Sequence, residues 1–329
     1  MKTINWGIIG CGNVTEHKSG PAFNLVEGSK LVAVMRRNAA KAIDYAKRHN
    51  VPTFYTCADD LINDPKVNAI YLATPPDTHA KYTIAALNAG KPVYVEKPMA
   101  LNFQQCQEMM VASKKNKQAL FVAYYRRTLP GFLKVKELID SGAIGEVRLA
   151  IINLFQAPKD QDFESSKLPW RVKPEIAGGG YFFDLASHQL DFLDFLFGPA
   201  RVVSAAAANQ AQLYPAEDIV SATLTFDKGI FCSGNWCFSV SPKNEVDSFE
   251  IIGSKGKISF STFNHTPIKL DTEKGIEIIN YQNPKHIQYN LIKQVLDELL
   301  RKGKCVSTGE SASRTNRVMD EIVKEYYNK

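Results

Sequence analysis

The stretch that decides the fold is GIIGCGNVT, residues 7–15. A β-branched apolar run ends on two glycines one residue apart, Gly10 and Gly12, and a helix-compatible segment follows. At a strand-to-helix turn, such glycines let the backbone approach a pyrophosphate, and the free N–H groups of the first helical turn favour negative charge. Gly10, Gly12, Asn13 and Val14 are therefore the first candidates for holding a dinucleotide. The third glycine of the G-x-G-x-x-G pattern is replaced by Thr15. A close helix-to-strand contact must then accept a hydroxyl and a methyl group.

Working outward, six short strand-like runs lie near Ile4–Ile9, Leu31–Val34, Thr53–Tyr55, Ala69–Ala73, Val93–Glu96 and Ala119–Tyr124. Helical patterns separate them, among them AAKAIDYAKRH and HAKYTIAALNAG, the second closing on a C-terminal glycine, Gly90. This alternation predicts an α/β, doubly wound parallel sheet over residues 1–126, serving as the dinucleotide-binding domain. Beyond it the pattern changes. A helical piece, Phe132–Ser141, leads into the strand-like VRLAIINLF, IVSATLTFDKGIFCSGNW and SFEIIGSKGKISF, with turns at Asp227-Lys228-Gly229 and Ser254-Lys255-Gly256. Two helical segments, His286–Arg301 and Glu310–Tyr327, close the chain. Residues 127–329 thus read as an α+β domain with a large, mainly antiparallel sheet.

A length of 329 residues exceeds the usual size of one core, in keeping with two domains. With 45% hydrophobic and 22% charged residues, the composition is that of an ordinary globular protein. No apolar run reaches the roughly 18 residues a membrane span needs, and the start MKTINWGIIG lacks a signal-peptide layout, so a cytoplasmic location and no membrane partner are expected. The six cysteines are scattered without a C-x-x-C pair, which predicts neither a disulfide framework nor a metal site. A net charge of +6 is mild: it favours an anionic cofactor or substrate, and there is no basic tract of the kind that binds nucleic acid.

The chemistry-bearing residues collect at predicted strand ends. The buried-looking run Val93–Val95 finishes on Glu96, Lys97 and Pro98. Charged groups there need a compensating partner, and the carboxyl ends of strands in an open α/β sheet are where ligands bind. The same edge carries ATPPDTH, residues 73–79, which brings in Thr74, Pro75 and His79, with Asp77 or Thr78 as the cap of the next helix. In AGGGYFFDLASHQLD, residues 177–191, the glycines Gly178–Gly180 permit close backbone approach. Asp184 and His188, four apart, share a helical face that Asp191 continues. A carboxylate one turn from an imidazole can orient it as a general base; the other reading is an amphipathic helix with a hydrogen-bonded histidine. Finally, the second strand ends KLVAVMRRN, residues 30–38, with no acid to bond a ribose 2′-hydroxyl. Arg36 and Arg37 stand there instead, which suits a 2′-phosphate and so NADP over NAD.

Taken together, GIIGCG, ATPPDTH, EKP, YYRRTLP (residues 124–130), AGGGYFFDLASHQLD and EIIGSKGKISF resemble the family of glucose-fructose oxidoreductase, inositol dehydrogenase and their relatives. The likeness runs from about residue 3 to the final helix. It implies a Rossmann domain followed by a substrate and oligomerisation domain, and NADP- or NAD-dependent oxidation or reduction of a sugar or polyol. It also implies homo-oligomers, dimers or tetramers, built through the second domain's sheet. Lys97, Asp184 and His188 match the family's catalytic trio: Lys97 as donor to the reacting oxygen, His188 as proton carrier, Asp184 steering it and Glu96 holding Lys97. Arg126, Arg127, Trp170, Arg171, His188 and His286 are candidate substrate contacts, and Thr74, Pro75, His79, Glu96 and Lys97 join the glycine turn as cofactor contacts. Some relatives are redox-neutral glycosidases, and a dinucleotide-binding sensor is the other alternative; the intact trio argues against a sensor.

Overall fold

The computed structural model describes residues 3–328, which fall into two compact units. The first comprises Met1–Thr128 with Pro284–Ser313, the second Leu129–Asn283 with Arg314–Lys329. Among the described residues no helix is long and apolar enough to cross a membrane.

In the first unit, β1 (Ile4–Ile9), β2 (Ser29–Met35), β3 (Thr53–Tyr55), β4 (Ala69–Leu72), β5 (Val93–Val95) and β6 (Leu120–Val122) form one sheet. Their order is β3-β2-β1-β4-β5-β6, and every pairing is parallel. The chain winds outward from β1 in one direction and from β4 in the other, so the order reverses between these two strands, the place at whose carboxyl ends open α/β sheets bind ligands. The helices are α1 (Asn13–His17), α2 (Ala22–Leu25), α3 (Ala39–Arg48), α4 (Ala58–Asn63), α5 (His79–Asn88) and α6 (Phe103–Asn116). All residues of β4 and β5 are buried, as a sheet covered on both faces requires. Ile9, Leu72 and Val95 pack with Leu87, Cys106 and Met109 in its core. Helix α5 ends as its glycine foretold: Gly90 has φ +77°, its N–H reaches Leu87 O at 3.0 Å, and Lys91 N–H reaches Ala86 O at 3.0 Å.

The expected single cut at 126/127 differs from this partition, because residues 284–313, with α10 (Tyr289–Leu299), pack with the first unit. The reason is the sheet's edge. An edge strand leaves a row of unpaired backbone groups that must be covered, and the returning chain covers β6: Val122 N–H donates to Ser307 O at 3.3 Å and Ser307 Oγ donates to Val122 O at 2.7 Å. An isolated antiparallel bridge joins Phe121 to Thr308.

The second unit holds an eight-stranded sheet. Its strands are β7 (Val147–Phe155), β8 (Arg201–Ala208), β9 (Ile219–Thr225), β10 (Phe231–Cys237), β11 (Val246–Gly253), β12 (Gly256–Phe260), β13 (Ile268–Thr272) and β14 (Gly275–Ile279). The order is β14-β13-β12-β11-β7-β10-β9-β8, antiparallel except for the parallel pair β7 and β10. Period-2 burial follows the sequence, with Ala150, Ile152 and Leu154 of β7 facing inward. The β9–β10 turn uses Lys228 and Gly229 at φ 62° and 73°; the next hairpin turns on Ser254 and Lys255, and Gly256 already belongs to β12. Helices α7 (Pro130–Asp140), α8 (Pro174–Ala177) and α9 (Ser187–Phe197) precede most of the sheet. The Phe192 ring of α9 meets Phe132 of α7 at 4.8 Å and Phe249 and Phe260 of the sheet at 6.0 Å each. The expected last helix, Glu310–Tyr327, is two: α11 (Gly309–Ile322) and α12 (Lys324–Tyr327).

Candidate functional site

The glycine turn leaves β1 in a conformation only glycine adopts without strain. Gly10 has φ +93°, and a Cβ there would lie 2.8 Å from Thr74 N and 2.9 Å from Ala73 C, backbone atoms that cannot yield. The N–H groups of Gly10 and Cys11 both go to Met35 O, at 2.9 and 3.2 Å, which pins the turn to the end of β2. Gly12 is different: a Cβ there would meet nothing nearer than Gly10 O at 3.9 Å, so the space beside it is open. Asn13 is exposed and Val14 half-buried, and at the start of α1 their N–H groups lack an intrahelical acceptor, whereas the N–H groups of Thr15 and Glu16 reach Gly12 O at 3.0 and 3.2 Å. These residues fit a pyrophosphate. Thr15, the departure from the pattern, is wholly buried, and its hydroxyl donates to Gly12 O at 2.8 Å. Close approach has moved to Gly20, where a Cβ would run into Thr15 O and the Tyr45 hydroxyl.

At the end of β2, Arg36 is half-buried and its Nη1 donates to Cys11 O at 3.1 Å, while Arg37 is exposed. Arg36 thus braces the glycine turn. After β4, Thr74 and Pro75 lead into a 3-10 turn, Pro76–Thr78. Neither Asp77 nor Thr78 caps α5 through its side chain: the Thr78 hydroxyl donates back to Pro75 O at 3.0 Å and lies 2.7 Å from Thr74 Oγ1. Burial raises the Asp77 pKa, with the nearby His79 and Arg37 opposing that shift. His79, expected among the cofactor contacts, is wholly buried, its ring nitrogens 3.0 Å from Pro98 O and 2.8 Å from Thr74 O. Its part is to tie the loop after β4 to the loop after β5. Burial lowers its pKa, which favours the neutral ring.

Beyond β5 the chain stays buried from Glu96 to Ala100 except at Lys97, which is half-buried. The Lys97–Pro98 peptide bond is cis. Glu96 Oε1 accepts from the Tyr71 hydroxyl and from Gln288 Nε2, each at 2.6 Å, and Oε2 lies 3.3 Å from Lys97 N. Tyr71 and Gln288 carried no signal in sequence. Arg126 and Arg127, candidate substrate contacts, are 3% and 4% exposed. Arg126 lies over the Tyr125 ring at 5.1 Å, and Arg127 Nη1 donates to Val306 O at 3.1 Å, holding the returning chain. His286 places Nδ1 2.9 Å from His17 O.

In the second unit the three glycines serve the protein's own packing. Gly178 ends α8 at φ +86°, Gly179 leaves room for the Phe183 ring, and a Cβ on Gly180 would lie 2.8 Å from both Ala216 Cβ and Glu217 O. Gly180 N–H donates to the wholly buried Glu217 carboxylate at 2.8 and 3.0 Å, and the Tyr327 hydroxyl donates to the same group. Next comes a π turn, Phe182–Ala186, before α9 begins. Asp184 sits in the π turn and His188 in the first turn of α9. Asp184 Oδ2 accepts from Arg171 Nε at 3.0 Å, and the Arg171 guanidinium lies over the Trp170 ring at 4.5 Å. His188 is 4% exposed, edge-on to Phe263 at 6.1 Å between ring centres. Gly180→Ala should therefore push Glu217 away and disturb the turn that carries Asp184. We expect a loss of about 2 kcal/mol and a melting temperature lower by about 5 °C. An unchanged thermal scan would show that the turn relaxes at no cost.

A parallel sheet of this order, with an open glycine turn after its first strand, defines the first unit as an NAD-binding Rossmann domain of the oxidoreductase class. Residues 4–124 match the oxidoreductase family with NAD-binding Rossmann fold, and residues 132–259 match the GFO/IDH/MocA C-terminal domain. The chain belongs to the GFO/IDH/MocA family. It is 41% identical over 317 residues to "Oxidoreductase P35" of Formosa agariphila, covering 96% of this chain and 97% of that protein. It is 27% identical over 260 residues to the 1,5-anhydro-D-fructose reductase of Ensifer adhaerens, covering 77% and 74%. A levoglucosan dehydrogenase solved with NADH and levoglucosan shares the fold, with TM-score 0.88 at 22% identity over 99% of this chain and 98% of that one.

Proposed function

We propose that the protein transfers a hydride between NADP and a carbinol or carbonyl carbon of a sugar, polyol or related carbohydrate. The observation that carries this reading is Lys97, the one unburied residue from Val93 to Ala100, at the carboxyl end of a central strand of a Rossmann sheet. The relatives named for sugar derivatives support the substrate class. When bound, the nicotinamide supplies or accepts the hydride. Lys97 donates a hydrogen bond to the reacting oxygen and stabilises alkoxide character there, while His188 takes up or returns the hydroxyl proton. Asp184 steers that exchange, its charge held by Arg171. Trp170 and Arg171 contact the substrate, and the protein works as a homo-oligomer. The test is a panel of sugars and polyols with both nucleotides, followed at the absorbance of reduced nicotinamide. Cleavage of glycosides with no net change in that absorbance would overturn the reading in favour of a redox-neutral glycosidase.

The nucleotide preference rests on Arg36, with Arg37 as second partner. A charged hydrogen bond to a 2′-phosphate contributes about 1.5 to 3 kcal/mol, or roughly a ten- to hundredfold preference. Arg36 also braces Cys11 O, so Arg36→Ala has two separable effects. A loss of kcat/KM common to both nucleotides reads the brace, and the further loss with NADP, about tenfold or more, reads the phosphate contact. Equal or better use of NAD by the wild type would sink the preference.

A further inference from the structure

A carboxylate as buried as that of Glu96, 8% exposed, must be held by donors, and its side-chain donors come from two distant parts of the chain. Tyr71 belongs to β4, Glu96 follows β5, and Gln288 stands at the start of α10, 192 residues later. Gln288 does more than donate. Its Oε1 accepts from the Tyr94 hydroxyl at 2.8 Å, so one amide bridges Glu96 and Tyr94, and its own backbone N–H is 3.3 Å from Lys18 O. Behind Tyr71, Ser19 Oγ lies 2.9 Å from the tyrosine oxygen, and the Tyr71 and Tyr94 rings stack at 5.1 Å. Ser19, Tyr71 and Tyr94 are wholly buried and Gln288 is 1% exposed. Burial, and then the charge of Glu96, holds both tyrosine hydroxyls protonated.

Such neutral donors orient a carboxylate without cancelling its charge. The carboxylate they orient has its second oxygen over the backbone N–H of Lys97, on the turn that presents that lysine. We propose that Gln288 is a positioning residue which, through Glu96, fixes the turn that presents Lys97. This rests on the reading of Lys97 as the group that meets the reacting oxygen. A small displacement of such a group costs rate out of proportion to its size, about a hundredfold for 1 Å.

The alternative is that Gln288 merely packs the start of α10, and Gln288→Glu separates the two. A protonated glutamic acid is nearly isosteric with glutamine: it can donate to Glu96 and accept from Tyr94. Ionised, it sets a second charge against Glu96, and burial beside a like charge raises the pair's apparent pKa well above the ordinary carboxylate value of about 4.3. A group whose folded-state pKa is raised contributes stability below its unfolded value and loses it as pH rises through the folded one. In the nucleotide-free protein, the variant should melt within about 2 °C of wild type near pH 5 and fall steadily behind it toward about pH 9. In turnover, its kcat relative to wild type should be within about threefold near pH 6 and fall tenfold or more by about pH 9, with nucleotide KM unchanged within about twofold. Gln288→Leu, which cannot bond Glu96 at any pH, should lose kcat about tenfold or more throughout.

A melting offset independent of pH would overturn the bridge and leave packing as the role. A pH-dependent melting offset with a flat kcat ratio would show that Gln288 holds Glu96 without bearing on Lys97, and would overturn the positioning. If the wild type turns over no carbohydrate, the reading of Lys97 falls and the positioning with it, while the melting series still decides the bridge.

Discussion

Lys97→Ala is expected to lower kcat by a factor of about 100 or more while leaving nucleotide affinity within a few-fold of wild type. The expectation follows from where the side chain is and what surrounds it. The strand that carries it is buried throughout, and the backbone is pinned on both sides: Glu96 N–H donates to Leu72 O at 2.9 Å and Ala123 N–H to Val95 O at 2.9 Å. Removing the ammonium leaves this frame in place, because Glu96 is held by Tyr71 and Gln288 and needs no bond from the lysine side chain to stay there. A lost electrostatic donor in a preorganised site costs about 3 kcal/mol of transition-state stabilisation, whereas the glycine turn proposed for the pyrophosphate is untouched. Steady-state rates together with a fluorescence titration of the nucleotide check both halves. Near-normal turnover would return the Glu-Lys-Pro turn to a structural role.

How much of this was legible in the sequence depends on whether a contact is local. The β1–β5 alternation, the Gly90 cap and the period-2 burial of β7 are set by residues within one element, and each leaves a pattern in the chain. The cover on β6 has no such pattern: Ser307 meets Val122 across 185 residues, and no feature near either residue announces the other. The same holds for Gln288, whose position before α10 reads as an ordinary helix start. The glycine triplet was legible in part. Three glycines in a row signal that something comes close, and in this chain what comes close is the Phe183 ring and the 216–217 backbone. Glu217, buried and polar, could not be told from a surface glutamate. Arg126 and Arg127 read as candidate substrate contacts, and their burial against an aromatic ring and a carbonyl leaves no mark in the sequence, where arginine seldom lies inside. The π turn at Phe182–Ala186 left no mark either, since a helical period inferred from residue types cannot foresee a local change of period.

His188→Asn tests the other half of the chemistry. Asparagine keeps a planar polar group of similar reach but cannot carry a proton at any accessible pH, so the substitution removes the base. In the direction of oxidation the proton carrier must start deprotonated. Wild-type kcat/KM should therefore rise with pH as the proton carrier loses its proton, and then level off. In the variant that acid limb should vanish, leaving a flat profile about 100-fold or more below the wild-type plateau. In the direction of reduction the dependence is mirrored, with activity lost as the carrier loses its proton. His188 is 4% exposed and packed against Phe263, so a smaller side chain there also removes packing. A thermal scan of both proteins separates a rate effect from a packing loss. Were the acid limb to persist in His188→Asn with its midpoint unmoved, the proton would have to travel by another group or by water. Asp184, already charge-paired with Arg171, would then have no imidazole to steer.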